Sequence, residues 1–306
     1  MAKQVKPKFF NLERRKPQVL LVGNGLSYNS KFTWSSLIKN LAKNNEFCFD
    51  KSKIPYSIQA SMIAPISDKE RHAKYQLLMQ RYEYLPKENI DKILYLPFDA
   101  ILTTNYTYDI EDHLYNNFHA NQNAQITHSC YTSNKSDGKY LIHNFNRICS
   151  GNQLYDIWHI HGEARRKSSM ILTQTEYASL TNEILNNLKL VKNTYENTYT
   201  NMRFMSWIDY FILGDVYILG LSLDFTEFDL WMLLNRRNRE NAQVGKIYFY
   251  APIKSENQDI CAALNGLGVQ CLNLGYEKEN DKFTNGKTYD DFYADAILDI
   301  KSKMKK

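Results

Sequence analysis

VLLVGNGLS, residues 19–27, is an aliphatic run closed by two glycines and a serine. Val19 to Val22 predict a short buried strand, and Gly23 ends it. The same pattern recurs three times along the chain. ILTTNY (101–106), IWHIHGE (157–163) and ILGLSLD (218–224) each release a small polar motif from the end of an apolar run. In an open parallel α/β sheet, ligands bind in the crevice beyond the carboxyl ends of the strands. Four motifs so placed, rich in Gly, Asn, His and Ser, point to a nucleotide-sized pocket holding an asparagine and a histidine.

Between these motifs, apolar runs and helical stripes alternate. Strands are predicted at Phe98–Leu102, Ile157–Ile160, Met170–Leu172, Val216–Leu219, Ile247–Tyr250 and Val269–Leu272. Helical spacing appears in Trp34, Leu37, Ile38 and Leu41 after a Thr33 cap, and in Leu180, Ile184, Leu185 and Leu188. It is clearest in Tyr289, Phe292, Tyr293, Ala296, Ile297 and Ile300. Such alternation predicts a Rossmann-like, doubly wound parallel sheet with helical insertions and no zinc module. Residues 1–16 read as a polar arm, and 17–306 as a single domain. Within it, a helical insert is expected at about 52–96, carrying Tyr75, Leu78, Met79, Tyr82 and Leu85. A long polar loop is expected at about 119–153, with a possible strand at Tyr140–His143.

The 306 residues are 43% hydrophobic, with 22 Tyr and 15 Phe, enough for a large aromatic core. The net charge of +5 is spread thinly, without the basic stripe of a nucleic-acid surface, so this chain alone is not expected to bind nucleic acid. Cys48, Cys130, Cys149, Cys261 and Cys271 are odd in number and form no Cys-x-x-Cys pair, which argues against disulfides and a zinc ribbon. The N-terminal stretch lacks the apolar core of a signal peptide. The most apolar stretch, Trp207–Phe225, is broken by Asp209, Gly214 and Asp215, so it reads as helix and strand, not a membrane span. A cytoplasmic protein is expected.

Each motif offers particular chemistry. Gly23, Asn24 and Gly25 allow close approach to a pyrophosphate, with Ser27 as a hydroxyl donor. The dinucleotide fingerprint is incomplete, because its third glycine would fall at Tyr28. Thr104 either caps a helix or touches ligand. Asn105 presents both a donor and an acceptor to a water or sugar hydroxyl. His161 is a candidate proton acceptor, with Gly162 beside it at the strand end. His159 and His161 have a metal-ligand spacing, yet no further ligand stands out, so no metal is expected. Gly220, Ser222 and Asp224 repeat the first arrangement at the start of another helix, where anions bind.

Taken in order, the four motifs resemble the sirtuin-like superfamily, and more narrowly the bacterial sirtuin-like NAD hydrolases of antiphage defence. Gly23 to Ser27 are similar to the sirtuin Gly-Ala-Gly-x-Ser loop, and Thr103, Thr104 and Asn105 to its Thr-x-Asn segment. His161 and Gly162 match its catalytic His-Gly pair, and Gly220 to Leu223 its Gly-Thr-Ser-Leu segment. The sirtuin Asp two residues after the Asn is replaced by Thr107, with Asp109 two further on. The four-cysteine module of the protein deacylases has no counterpart. An abortive-infection family shares similar Gly-Asn-Gly, Asn-Tyr-Thr and Ile-His-Gly signatures.

The resemblance implies NAD as substrate, with no further cofactor, and cleavage to nicotinamide and ADP-ribose. Asn105 and His161 would be catalytic, His161 acting as a neutral base. Gly23, Asn24, Gly25, Ser27, Thr104, Asp109, Gly162, Gly220, Ser222 and Asp224 would bind the nucleotide. The alternatives are an NAD-dependent deacylase or ADP-ribosyltransferase, and a non-catalytic NAD or ADP-ribose sensor. A homo-oligomer, a separate sensor subunit, or both are expected to switch the activity on.

Overall fold

The computed structural model describes residues 2–26, 34–42, 54–63, 67, 69–70, 73, 88–119, 125–131, 139–150, 153–195, 202–239, 244–254, 258–279, 282–284 and 286–305. Ser27, Thr33, Cys48, Tyr75, Leu78, Met79, Tyr82 and Leu85 lie outside them.

The strands are β1 (Lys3–Gln4), β2 (Lys8–Phe10), β3 (Gln18–Val22), β4 (Ala100–Thr103), β5 (Gln125–Cys130), β6 (Asn144–Ser150), β7 (Gln153–His159), β8 (Met202–Phe204), β9 (Asp215–Leu219), β10 (Ile247–Tyr250), β11 (Val269–Leu272), β12 (Lys278–Glu279) and β13 (Lys282–Phe283). Nine form one sheet in the order β1-β5-β6-β7-β4-β3-β9-β10-β11. From β7 to β11 all neighbours are parallel. β5 and β6 join antiparallel, and β1 closes that edge parallel to β5. The sheet is therefore mixed and mostly parallel.

From β3 the chain moves outward through β4 to β7, then returns to β9 and proceeds the other way through β10 to β11. Strand order thus reverses between β3 and β9, which is where a doubly wound sheet opens a crevice. Val22 pairs with Thr103 and Leu219, and Thr103 pairs with His159. All four motifs therefore leave the sheet at one level.

The strand residues alternate between two cores. Val19, Leu21, Leu102, Trp158, Val216, Ile218 and Phe249 face one side. Leu20, Val22, Ile101, Ile157, Tyr217, Leu219 and Tyr250 face the other. The helices are α1 (Trp34–Leu41), α2 (Tyr56–Met62), α3 (Glu88–Leu94), α4 (Asp109–His119), α5 (Gln174–Tyr195), α6 (Trp207–Leu213), α7 (Phe228–Asn238), α8 (Gln258–Gly266) and α9 (Tyr289–Met304). Helices α5 to α8 cover the first face through Leu180, Ile184, Trp207, Phe211, Leu230, Leu233 and Leu264. Helices α3, α4 and α9 cover the second through Ile90, Ile93, Ile110, Leu114, Phe292 and Ile300. Each fully buried aliphatic side chain contributes about 1.5–3 kcal/mol of transfer free energy, so both faces hold the sheet firmly. No helix among the described residues is long and apolar enough to cross a membrane.

Several expectations are corrected. The loop at about 119–153 contains β5 and β6, and the Tyr140–His143 strand begins instead at Asn144. The N-terminal arm is built into the fold: β2 pairs with β8, and Phe10 and Leu12 are buried. Met170–Leu172 is buried but not a strand; its Ile171 amide donates to the His161 carbonyl at 2.9 Å. Leu185 faces solvent rather than the α5 core stripe.

Candidate functional site

The motifs after β3 and β9 interlock. The Gly23 amide donates to Leu219 O at 3.0 Å and the Gly25 amide to Gly220 O at 2.7 Å. Gly220 has φ +66°, and a Cβ there would lie 2.4 Å from the Leu26 amide nitrogen. A Cβ on Gly23 would lie 2.5 Å from Gly220 O. These glycines let one loop's backbone pack on the other's. Leu223, fully buried, also holds a left-handed φ of +47°, a strained conformation for a branched side chain. Asn24 is half-buried, and Ser222 is exposed. Asp224 accepts from the Thr226 amide at 2.8 Å and so builds the turn before α7, while Glu227 takes the helix cap position.

After β4, the Asn105 amide donates to Thr103 Oγ1 at 3.1 Å, and the Thr104 amide to Val22 O at 3.2 Å. Asn105 is half-buried. It lines one small crevice with Gly23, Leu26 and the buried Asp109, so three predicted site residues meet there. The Thr107 hydroxyl donates to the Asp109 carboxylate.

The two histidines of HIHGE part company. His159, the last residue of β7, meets Glu111 of α4, its Nε2 lying 2.8 Å from Oε1. His161, in the following turn, meets Asp229 of α7, its Nε2 lying 2.9 Å from Oδ2. The two imidazoles thus meet different acids on different helices. Gly162 between His161 and Glu163 has φ +90°, and its missing Cβ is replaced by the Ser169 backbone.

His161 is 2% exposed and surrounded by acid. Glu227 Oε2 lies 3.7 Å from its Nδ1, and the Tyr177 ring centroid lies 5.2 Å from its own. Glu227 Oε2 and Asp229 Oδ1 are buried without a hydrogen-bond partner among the described residues. Burial opposes the His161 cation, yet Asp229 and Glu227 outweigh it and raise its pKa to about 9. The expected neutral base is therefore an imidazolium at neutral pH. Desolvation raises Glu227 to about 7, with His161 pulling against it. Glu227 is the group of the cluster that changes charge near neutrality. Donor atoms of His161, Glu227 and Asp229 lie within 4.8 Å of one another, close enough for a cation. His161 Nε2 and Asp229 Oδ2 lie at hydrogen-bond distance, 2.9 Å, so a cation there would compete with a proton.

The sequence reading missed Glu227, Asp229 and Glu111. The legible signal for the first two was a pair of acids, Glu227-Phe228-Asp229, at the start of the apolar helical stretch Phe228–Leu234, directly after a strand-end motif.

Both imidazoles titrate at about 9 in the folded chain, against an ordinary 6.5. Their stabilising effect is therefore complete below about 6.5 and is lost as pH rises through about 9. Unfolding by urea should show lower stability at pH ~9.5 than at pH ~6.5, by on the order of a few kcal/mol. Constant stability across that range would mean that the two ion pairs do not form.

No curated protein matches the chain. The SIR2-like domain family matches residues 99–272, from just before β4 to the end of β11. The match takes in three of the four motifs, and GNGLS precedes it. With more than half its length matched, the chain belongs to the SIR2-like domain family, which ties it to NAD.

Proposed function

We propose that this chain hydrolyses NAD to nicotinamide and ADP-ribose, and that it does so as an antiphage effector that depletes the cofactor when triggered. The observation that carries this reading is the level exit of four motifs at the switch point, with Asn105 and the His161 cluster among them. Nicotinamide leaves NAD as a neutral group and needs no general acid. The site has to orient the ribose and a water, and to favour the positive charge growing on the ribose. Asn105 orients the water or ribose hydroxyls through its amide. Asp229 and Glu227 set a negative field that favours the developing oxocarbenium charge, and the His161 imidazolium partly offsets that field while holding the two acids in place. Glu227, near 7, is the cluster's proton acceptor. The interlocked loops of Gly23–Gly25 and Gly220–Asp224, with Gly162, are assigned to the diphosphate, as is Ser27, which lies outside the described residues.

Purified protein incubated with NAD should yield nicotinamide and ADP-ribose in equal amounts. Label transferred to protein, or an acyl-ADP-ribose product, would favour a transferase or deacylase instead. Binding without nicotinamide release would identify a sensor. Dialysis against a strong chelator should leave the rate unchanged, and loss restored by zinc or manganese would overturn this metal-free reading.

An unrestrained NAD hydrolase would drain its own cell. Control by self-assembly or by a separate sensor subunit follows as part of the same proposal. Specific activity should rise with protein concentration as molecular mass rises, or on adding the cognate partner. A dilute monomer already at full rate would remove assembly as the switch.

A further inference from the structure

His159 stands two residues before His161 and plays no part in the chemistry above, yet it is as deeply buried, at 2% exposure. Its Nδ1 lies 2.7 Å from the Asn105 carbonyl oxygen, and its Nε2 2.8 Å from Glu111 Oε1. A carbonyl oxygen and a carboxylate oxygen are both acceptors. Against burial, the His159 and Asn146 contacts hold the Glu111 pKa down. With Glu111 ionised, the ring can satisfy both acceptors only by donating from both nitrogens, as an imidazolium.

The surroundings are built for that cation. Glu111 Oε1 also accepts from Asn146 Nδ2 at 2.9 Å, and the same amide donates to Glu163 Oε2 at 3.1 Å. Glu163 in turn meets Arg166 Nε at 3.1 Å. The Tyr108 ring lies 5.3 Å away, with the Arg165 guanidinium on its other contacts at 4.1 Å. Burial works against the charge, but Glu111 first and Glu163 after it raise the His159 pKa to about 9. The consequence falls on Asn105. Its amide is tied to Thr103 and its carbonyl to His159, so the peptide groups on both sides of its Cα are fixed. The Cα–Cβ bond that carries the side-chain amide then projects in a defined direction.

We propose that His159, through its two donated hydrogen bonds, is a positioning residue that holds the Asn105 peptide in the orientation NAD cleavage requires. This rests on the NAD-hydrolase reading. His159 touches no reacting atom and acts through Asn105.

Three variants of the full chain test it: His159→Leu, which removes both donors, His159→Asn, which retains a donor near Nδ1, and Glu111→Gln, which removes only the charge. A misplacement of about 1 Å at a catalytic group costs on the order of 100-fold. His159→Leu should lose that much in kcat for nicotinamide release with little change in KM, and His159→Asn should recover most of it. In wild type, kcat should fall as pH rises through about 9, where both imidazoliums lose a proton, and in His159→Asn the limb should become shallower, leaving the His161 deprotonation alone. Glu111→Gln should move the His159 part of the limb to lower pH. A second readout needs no turnover: the Asn105 side-chain amide resonance, identified by its loss in Asn105→Asp. It should be sharp and fixed in wild type and His159→Asn, and averaged in His159→Leu. If His159→Leu fails to fold, the His159→Asn and Glu111→Gln profiles decide. A folded His159→Leu with wild-type kcat and an unaltered resonance overturns the proposal, as does an alkaline limb unchanged in His159→Asn and Glu111→Gln. A wild type that releases no nicotinamide overturns the hydrolase reading, while the resonance still decides whether His159 fixes Asn105.

Discussion

Asn105→Ala should leave a folded protein that releases nicotinamide from NAD at least about 100-fold more slowly than wild type, the scale expected when a positioning group is lost. Asn105 is half-buried, and its two backbone hydrogen bonds do not involve the side chain. Truncation therefore removes chemistry and spares the fold. His161→Ala should be as inactive for a different mixture of reasons. Deleting the imidazole leaves Asp229 and Glu227 as buried carboxylates 0% and 9% exposed, with no cation against them. Removing one partner of a buried pair costs about 3–5 kcal/mol. The two variants are thus told apart by a thermal melt run beside the assay: Asn105→Ala melts with wild type, and His161→Ala melts earlier. Near-normal turnover in a folded Asn105→Ala would remove the asparagine from the mechanism.

Gly162→Ala should be the most damaging glycine-to-alanine change among the described residues. A Cβ at position 162 would lie 2.1 Å from Ser169 O and 2.3 Å from Ser169 C, both backbone atoms that cannot rotate aside. The residue's φ of +90° adds left-handed strain of about 1–3 kcal/mol. Overpacking adds typically about 1–3 kcal/mol more. Relief requires the turn carrying His161 to part from the segment at Ser169–Met170, so stability and nicotinamide release should fall together. Gly266→Ala is the matched control, because nothing lies within 4 Å of its Cβ position. Equal melting of the two variants would show that the Gly162 turn opens without cost. The motif glycines of this site thus have a packing reason for being glycine, independent of any ligand.

The parallel strands at Val19–Val22, Val216–Leu219 and Ile247–Tyr250 were legible because each is short, aliphatic or aromatic, and buried on both faces. β5 and β6 were not. QITHSC and NFNRICS carry polar residues on the margin of the sheet, so their hydrophobic pattern is faint, and their strand character comes from pairing with β7 and with each other. Met170–Leu172 failed in the opposite direction. A three-residue apolar run cannot distinguish a strand from any other buried segment, and here a return from the Gly162 turn placed it inside. The arm at Phe9–Leu12 resembles the surface because its apolar residues sit among charges. Its burial depends on β8, almost 200 residues on.

For the site, the sequence alone determined which residues stand at the strand ends, since apolar runs and glycines are local signals and the sheet's register brings them level. The tertiary structure alone decided who holds the protons. His159 and His161 look equivalent in HIHGE, yet one meets Glu111 from 48 residues away and the other Asp229 from 68 residues away. A pKa is set by burial and by charges within a few ångströms, and no spacing along the chain encodes those distances. That is why a histidine expected to be neutral is a cation, and why the group that titrates near neutrality is a glutamate on a neighbouring helix cap.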